Sequence, residues 1–214
     1  MVQFFTLPGL SEYEDTVKLM EDKVASLINK SSKEVVYLVE YKDIYTAGTS
    51  FKANELLDPG DIPVIYTNRG GKFTYHGSGQ RVIYPILDLA SEWGQKDLRL
   101  YIKLLEEWVI NSLLYLGIKA FTINGMVGIW GKENGVPAKI ASIGVRVRKW
   151  ITYHGIAVNI STNLDMFSGI IACGLRDMPV TSLKKLGVDI TLEQFDEVIK
   201  DKFFEVFSYR ANQG

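Results

Sequence analysis

Three residue types in this 214-residue chain could do chemistry together: a single thiol, two imidazoles and a lysine on a strand. Cys173 sits in Ile171-Ala172-Cys173-Gly174-Leu175. A lone cysteine in apolar company fits a small buried hydrophobe as readily as a nucleophile. Gly174 leaves room for a reacting group and a free backbone N–H beside the sulfur, and irregular segments held by a scaffold are where functional residues gather. A thiol must ionise to attack, and near neutral pH it needs a neighbouring base or cation. His76 and His154 are the imidazoles available. Lys139 is the less obvious candidate, since an ammonium beside a sulfur lowers the thiol's pKa. Alternation along Lys139–Trp150 groups Lys139 with Ala141, Ile143, Val145 and Val147, aiming it at the apolar side. Ile140 breaks that pattern and leaves the register open at this end. A strand-end lysine snorkelling to solvent satisfies the same spacing.

Two further features are shaped for a ligand. The stretch Arg69-Gly70-Gly71-Lys72-Phe73-Thr74-Tyr75-His76-Gly77-Ser78-Gly79-Gln80 mixes glycine with hydrogen-bonding side chains. Missing Cβ atoms let main-chain N–H groups approach a bound molecule, although a Gly-rich hairpin connection has the same composition. Ser142-Ile143-Gly144 and Gly155-Ile156-Ala157 put small residues on what read as neighbouring strands. Small side chains leave a groove where a sheet would otherwise fill itself; close strand–helix packing explains them too. Arg146, Arg148, Lys149, Lys184 and Lys185 form either a local basic surface or a solvated face.

The elements that must position these residues follow from periodicity and turn signals. An apolar run at 3–7, ended by Pro8-Gly9, predicts an edge strand. Ser11 with Glu14 matches a capping box, opening a helix whose stripe is Tyr13, Val17, Met20, Val24 and Leu27. Glu34–Glu40 predicts a central strand, Tyr45–Ser50 a small-residue loop, Ala53–Asp58 a short helix, and Ile62–Tyr66 a strand leading into the Gly-rich stretch. Arg81–Leu89 predicts a strand entering the core. A long helix is expected from about Asp97 to Leu116, stopped by Gly117. Asn124-Gly125 predicts a hairpin, and Gly131–Gly135 a second turn. Lys139–Trp150 and Gly155–Ser161 predict paired strands with His154 in their connection. Thr191 with Gln194 caps a last helix carrying Leu192, Phe195, Val198, Ile199 and Phe203. The sum is one mixed α/β domain over residues 1–214.

Composition bounds the rest. Apolar residues make up 47% and charged residues 23%, as in ordinary globular chains, and the net charge of −1 gives no global field for nucleic acid or an anionic membrane. One cysteine excludes an intrachain disulfide and, with two histidines, speaks against a structural zinc site. The N-terminus does not read as a signal peptide, and no run of about 18 apolar residues predicts a spanning helix. The expected setting is reducing and cytoplasmic.

RGGKFTYHGSGQ followed by YPILDL resembles the signature of bacterial lipoyl(octanoyl) transferases, and the resemblance continues in order. Lys139-Ile140-Ala141-Ser142-Ile143-Gly144, then His154-Gly155-Ile156-Ala157 with Asn159, then Cys173-Gly174 complete it, spanning most of residues 40–185. Ser78 stands where proline is usual, and Ala172 where proline often precedes the cysteine; both bear on local loop rigidity. The resemblance implies the biotin/lipoate ligase fold, an α/β (α+β) arrangement with a mixed sheet flanked by helices. It implies transfer of an octanoyl group from acyl carrier protein to a lysine of lipoyl domains, those of 2-oxoacid dehydrogenases and the glycine cleavage H protein. On it, Cys173 becomes acylated and Lys139 lowers its pKa and shuttles protons. Arg69, Gly70, Gly71, Lys72, Phe73, Thr74, Tyr75 and His76, with Ser142, Ile143, Gly144, Gly155, Ile156 and Ala157, would line the acyl pocket. No cofactor is implied, since thioester exchange followed by aminolysis runs downhill without ATP, and no Walker-type loop is present. The alternatives in the same fold are an ATP-dependent lipoate or biotin ligase and an amidotransferase between lipoyl domains. A non-catalytic acyl-binding module is a third class.

Overall fold

The computed structural model describes residues 2–90, 96–174 and 178–211. In chain order its elements are β1 (Gln3–Ser11), α1 (Tyr13–Ile28), β2 (Val35–Tyr41), β3 (Ile44–Ala47), β4 (Val64–Tyr66), β5 (Phe73–His76), β6 (Gln80–Ile86) and α2 (Leu98–Tyr115). There follow β7 (Phe121–Ile123), β8 (Met126–Glu133), β9 (Val136–Arg148), β10 (Ile151–Asn159) and α3 (Leu192–Ala211). Short 3-10 turns occupy Ala53–Glu55, Leu164–Gly169 and Ala172–Gly174.

Seven strands form a mixed sheet in the order β1-β2-β6-β10-β9-β8-β7, and β4-β3-β5 form a smaller one. In the large sheet β1 and β2 run parallel and the remaining pairs are antiparallel. β6 is buried along its whole length because both its faces are covered. One face packs on α2 and α3, where the Trp108 ring meets Phe203 edge-on at 5.0 Å and its Nε1–H donates to Ile199 O at 2.7 Å. On the other face α1 lays Met20, Val24 and Leu27 against Val35, Val39 and Ile86. α1 covers one part of that face. The small sheet covers another, and the space between the two sheets is where the site lies.

Several expectations are met at the level of caps and turns. Asp97 caps α2 by accepting from Arg99 N and Leu100 N at 2.8 and 3.1 Å, and Gly117 ends it at φ 87°. Thr191 and Gln194 form a reciprocal box at the start of α3. Asn124-Gly125 turns β7 into β8, while the next turn is confined to Asn134-Gly135.

Other expectations are corrected. β1 continues through Pro8-Gly9 to Ser11, because a register shift between Thr6 and Leu10 absorbs the residue without an N–H. Ser11 therefore belongs to the strand, and α1 starts after Glu12 with no side-chain cap. β2 lies one place in from the edge. Tyr45–Ala47 is buried strand rather than loop, and the middle of the Gly-rich stretch is strand β5. His154 stands within β10; the connection is Lys149-Trp150, both at positive φ.

α3 is tied to the sheet by a buried ion pair. Arg81 Nε lies 2.7 Å from Asp196 Oδ1, off line for a hydrogen bond, and Thr6 Oγ1 donates to Asp196 Oδ2 at 3.2 Å. Burial pushes the Asp196 carboxyl above its ordinary value, and Arg81 pulls it back part of the way. The folded chain thus holds that proton more tightly than the unfolded one, so this group's own contribution favours folding at low pH and fades as pH rises through its folded value. Asp196→Ala at neutral pH leaves Arg81 buried without its counter-charge and should cost about 3–5 kcal/mol, read as a lowered urea midpoint, while replacing both partners by apolar residues should cost far less.

Candidate active site

The floor of the site is a sheet face with its side chains missing. Register pairs Ser142 with Ala157 and Gly144 with Gly155, and Ala157 with Val82 on the adjoining strand. Alternation puts all of these on the face away from α2 and α3. With Tyr84 they border a cavity of ≈ 280 Å³, at the lower end of ordinary small-molecule pockets. β5 supplies the opposite wall through Thr74 and His76. The ends are closed by Ser50, Arg69, Gly71 and Lys72, and by Gly125–Val127. Glycine at 144 is required by a close approach: a Cβ there would sit 2.8 Å from Gly70 O.

Arg69 holds this wall together from a buried position. Its Nη2 donates to Thr46 O, Thr46 Oγ1 and Lys72 O at 2.7–2.8 Å, and its Nη1 to Gly70 O at 3.0 Å. A polar chain runs on from Thr46. Thr46 Oγ1 lies 3.3 Å from His76 Nε2, and His76 Nδ1 lies 2.7 Å from Gln80 Oε1. Gln80 Nε2 donates to Asn159 Oδ1, and Asn159 Nδ2 to Thr181 O. Because Gln80 Oε1 can only accept, Nδ1 carries the His76 proton and Nε2 receives the Thr46 hydroxyl.

Both imidazoles are held neutral. Burial, then the Arg69 charge, lowers His76 to about 3, against a raising effect of Gln80. His154 is likewise lowered to about 3, by burial first and then by Arg69, His76 and Arg146. Its Nε2 faces Asn68 Oδ1 at 2.9 Å, and its Nδ1 is buried with no hydrogen-bond partner among the described residues. Groups this reluctant to take a proton are weak bases for a thiol.

Lys139 is buried, with Nζ donating to Val127 O at 2.9 Å and lying 5.3 Å from the Trp130 ring centre. The parity expected for it is corrected by a bulge. Trp130 pairs with Lys139 and Ile129 with Ala141, so Ile140 is an extra residue. Ile140 and Ala141 consequently both pack into the core under α2 and α3, and Lys139 takes the opposite face with Trp130. Gly128, at φ 129°, makes room for it: a Cβ there would lie 2.9 Å from Nζ. Lys139 N donates to Pro179 O and Thr181 N to Lys139 O, which fastens the segment downstream of Cys173 alongside. Cys173 itself belongs to the turn Ala172–Gly174; its side chain lies outside the described residues.

The structure thus gathers most of the expected pocket residues around one cavity, namely Arg69, Gly71, Lys72, Thr74, His76, Ser142, Ile143, Gly144, Gly155, Ile156 and Ala157. Gly70 lies behind the wall, its N–H donating to Val145 O at 3.0 Å. Phe73 and Tyr75 are corrected: alternation along β5 turns both away, into a cluster with Tyr45, Phe167 and Ile170. Ser50, Val82, Tyr84, Met126 and Val127 are lining residues that sequence reasoning missed. The parity of β6 could have found Val82 and Tyr84. Nothing local marks the other three: Ser50 lies in the loop after β3, and Met126 and Val127 open β8.

Residues 12–204 match the family model of the lipoyl protein ligase A/B catalytic domain. A protein of Rickettsia felis named octanoyltransferase is 61% identical over 208 residues, covering 97% of this chain and 100% of the relative. One of Rickettsia canadensis, with the same name, is 59% identical over 209 residues, again 97% and 100%. Among solved structures, lipoate-protein ligase A bound with ATP superposes with a TM-score of 0.73 at 19% identity, covering 97% of this chain and 85% of that one. A biotin protein ligase of Aquifex aeolicus superposes at 0.62 and 13% identity, covering 99% and 73%. These likenesses establish the expected fold, a mixed sheet flanked by helices.

The depressed imidazoles carry a pH signature. The unfolded chain takes up protons on histidine near 6.5 while the folded chain does not until about 3, so this contribution to stability is full above 6.5 and is lost as pH falls toward 3. The ring C–H resonances of His76 and His154 should stay fixed between pH 8 and 5; titration of either near 6.5 would show that its burial is wrongly described.

Proposed function

The chain belongs to the lipoyl protein ligase A/B catalytic-domain family and is an acyltransferase, and we propose that it moves an octanoyl group from acyl carrier protein to a lysine of a lipoyl domain through a thioester on Cys173. The observation that carries this reading is the trough between the sheets, floored by Ser142, Gly144, Gly155 and Ala157. A straight acyl chain needs a narrow slot and little polar recognition. Both proposed reactive groups adjoin it at one remove: Val127 lines it and binds Lys139 Nζ, and Lys72 lines it and packs on Gly174.

In the first half-reaction the Cys173 thiol gives its proton to Lys139, and the thiolate attacks the donor's thioester carbonyl. The carbonyl carbon–sulfur bond to the carrier breaks, and the departing sulfur takes the proton from Lys139. In the second, the acceptor lysine's amine attacks the acyl-enzyme carbonyl. Its bond to Cys173 breaks, and the amine's surplus proton passes through Lys139 to the cysteine sulfur. An amide replaces a thioester, so no nucleotide is consumed. Lipoyl domains of 2-oxoacid dehydrogenases and the glycine cleavage H protein serve as acceptors, in the cytoplasm, with residues 1–214 acting as one catalytic domain. Neither nucleic acid nor membrane takes part in this reading; among the described residues no helix is long and apolar enough to cross a bilayer.

Mass spectrometry after mixing with octanoyl acyl carrier protein should find one octanoyl group on Cys173, lost on adding a lipoyl domain. Cys173→Ser should form no adduct, and Lys139→Met should slow its formation by about 10²–10⁴-fold at unchanged fold. ATP–pyrophosphate exchange with free octanoate, without an adduct, would instead identify a ligase. Ala157→Leu adds bulk to the floor and should raise KM for the octanoyl donor more than for a butanoyl one.

A further inference from the structure

Lys72 lines the cavity, yet its side chain is committed elsewhere. Its ammonium pairs with the Glu55 carboxylate, which is 5% exposed, and its stem lies directly over Gly174. A Cβ on Gly174 would stand 2.6 and 2.8 Å from Lys72 Cδ and Cε. The residue packed beneath this lysine is therefore the immediate neighbour of Cys173. Gly174, at φ 71°, donates to Ile171 O at 3.0 Å and closes the turn.

Glu55 is bound to the same turn by its main chain. Ile171 N donates to Glu55 O at 2.7 Å, and Leu56 bridges to Ile170. The Glu55 side chain also accepts from Lys52 N at 3.0 Å, which fixes the carboxylate whether or not Lys72 is present. From the other side, Lys72 O accepts from Arg69 Nη2 and Gly48 N. One lysine thus joins the cavity wall to the cysteine turn, its main chain on the first and its ammonium on the second.

We propose that Lys72 is a second cation acting on the Cys173 turn, held against Gly174 and tempered by Glu55, so that this pair sets how readily the turn's thiol is acylated. It rests on the reading of Cys173 as the acylated residue. Lys72 is a positioning residue here, working beside Lys139, which reaches the site from the opposite sheet. A charge one residue away favours the thiolate, and the Glu55 carboxylate offsets part of that effect.

The test uses the two halves of the pair against each other. A brace that merely stiffens the turn is broken equally by Lys72→Met and by Glu55→Gln, so both should move reactivity in one direction. A charge effect has opposite signs. Iodoacetamide alkylation of Cys173 is followed against pH in the full chain, with circular dichroism to verify folding. Lys72→Met should raise the midpoint by about one unit, equal to a roughly tenfold slower reaction below it, and slow octanoylation alike. Glu55→Gln should lower the midpoint, and Lys72→Arg should hold it near wild type. If Lys72→Met does not fold, Glu55→Gln decides alone: a midpoint unchanged or raised overturns the proposal. Equal shifts of the same sign in the two variants, or none, overturn it as well. Absence of any octanoyl group on wild-type Cys173 would instead refute the acyl-enzyme reading and leave the alkylation result standing.

Discussion

A buried guanidinium organises this molecule. Arg69 spends its donors on Thr46, on the main-chain oxygens of Gly70 and Lys72, and so pins the glycine-rich chain to a strand of the small sheet. Donors to charged groups are expensive to leave unmade in a dry interior, so the loop must fold around the arginine rather than beside it. The same charge helps to keep His76 and His154 unprotonated. Shape and electrostatics of the cavity wall therefore share one origin, and that origin lies in the loop rather than in the scaffold.

What could be read from the sequence was what depends on local pattern. The small residues at 142, 144, 155 and 157 suggested a groove on neighbouring strands, and the register places them on one face. The start of α2 near Asp97, the cap at Thr191 and the turn at Asn124-Gly125 follow from short-range chemistry. What was not legible depends on distant partners. Ile140 bulges because β8 pairs Trp130 with Lys139, and no window on β9 alone carries that information. Phe73 and Tyr75 read as loop residues because glycines flank them, but pairing with Ile44–Ala47 makes a strand and turns them away from the cavity into a buried cluster. The approach of Lys72 to Gly174 joins positions about a hundred residues apart and has no signature in spacing.

The fold is shared with lipoate and biotin protein ligases solved with ATP bound, so architecture does not choose between the chemistries. The choice rests on the identity of relatives near 60% and on which side chains stand at the two ends of the trough. A ligase must hold an adenylate. On the proposed reading a transferase needs one sulfur whose charge state is well set, by Lys139 on β9 of the large sheet and by Lys72 just before β5 of the small one.

The trough floor is defined by volume that is withheld. Ser142 and Ala157 have almost nothing to remove, and at Gly155 even one added carbon would collide with Ile83 O. Methods that probe function by trimming side chains would find such a surface silent and score it as dispensable. Sensitivity lies in the opposite direction, in growth: these positions are limited from above, by size, and the tolerance of each to an added carbon measures how closely the neighbouring backbone, and on the proposed reading an acyl chain, passes it.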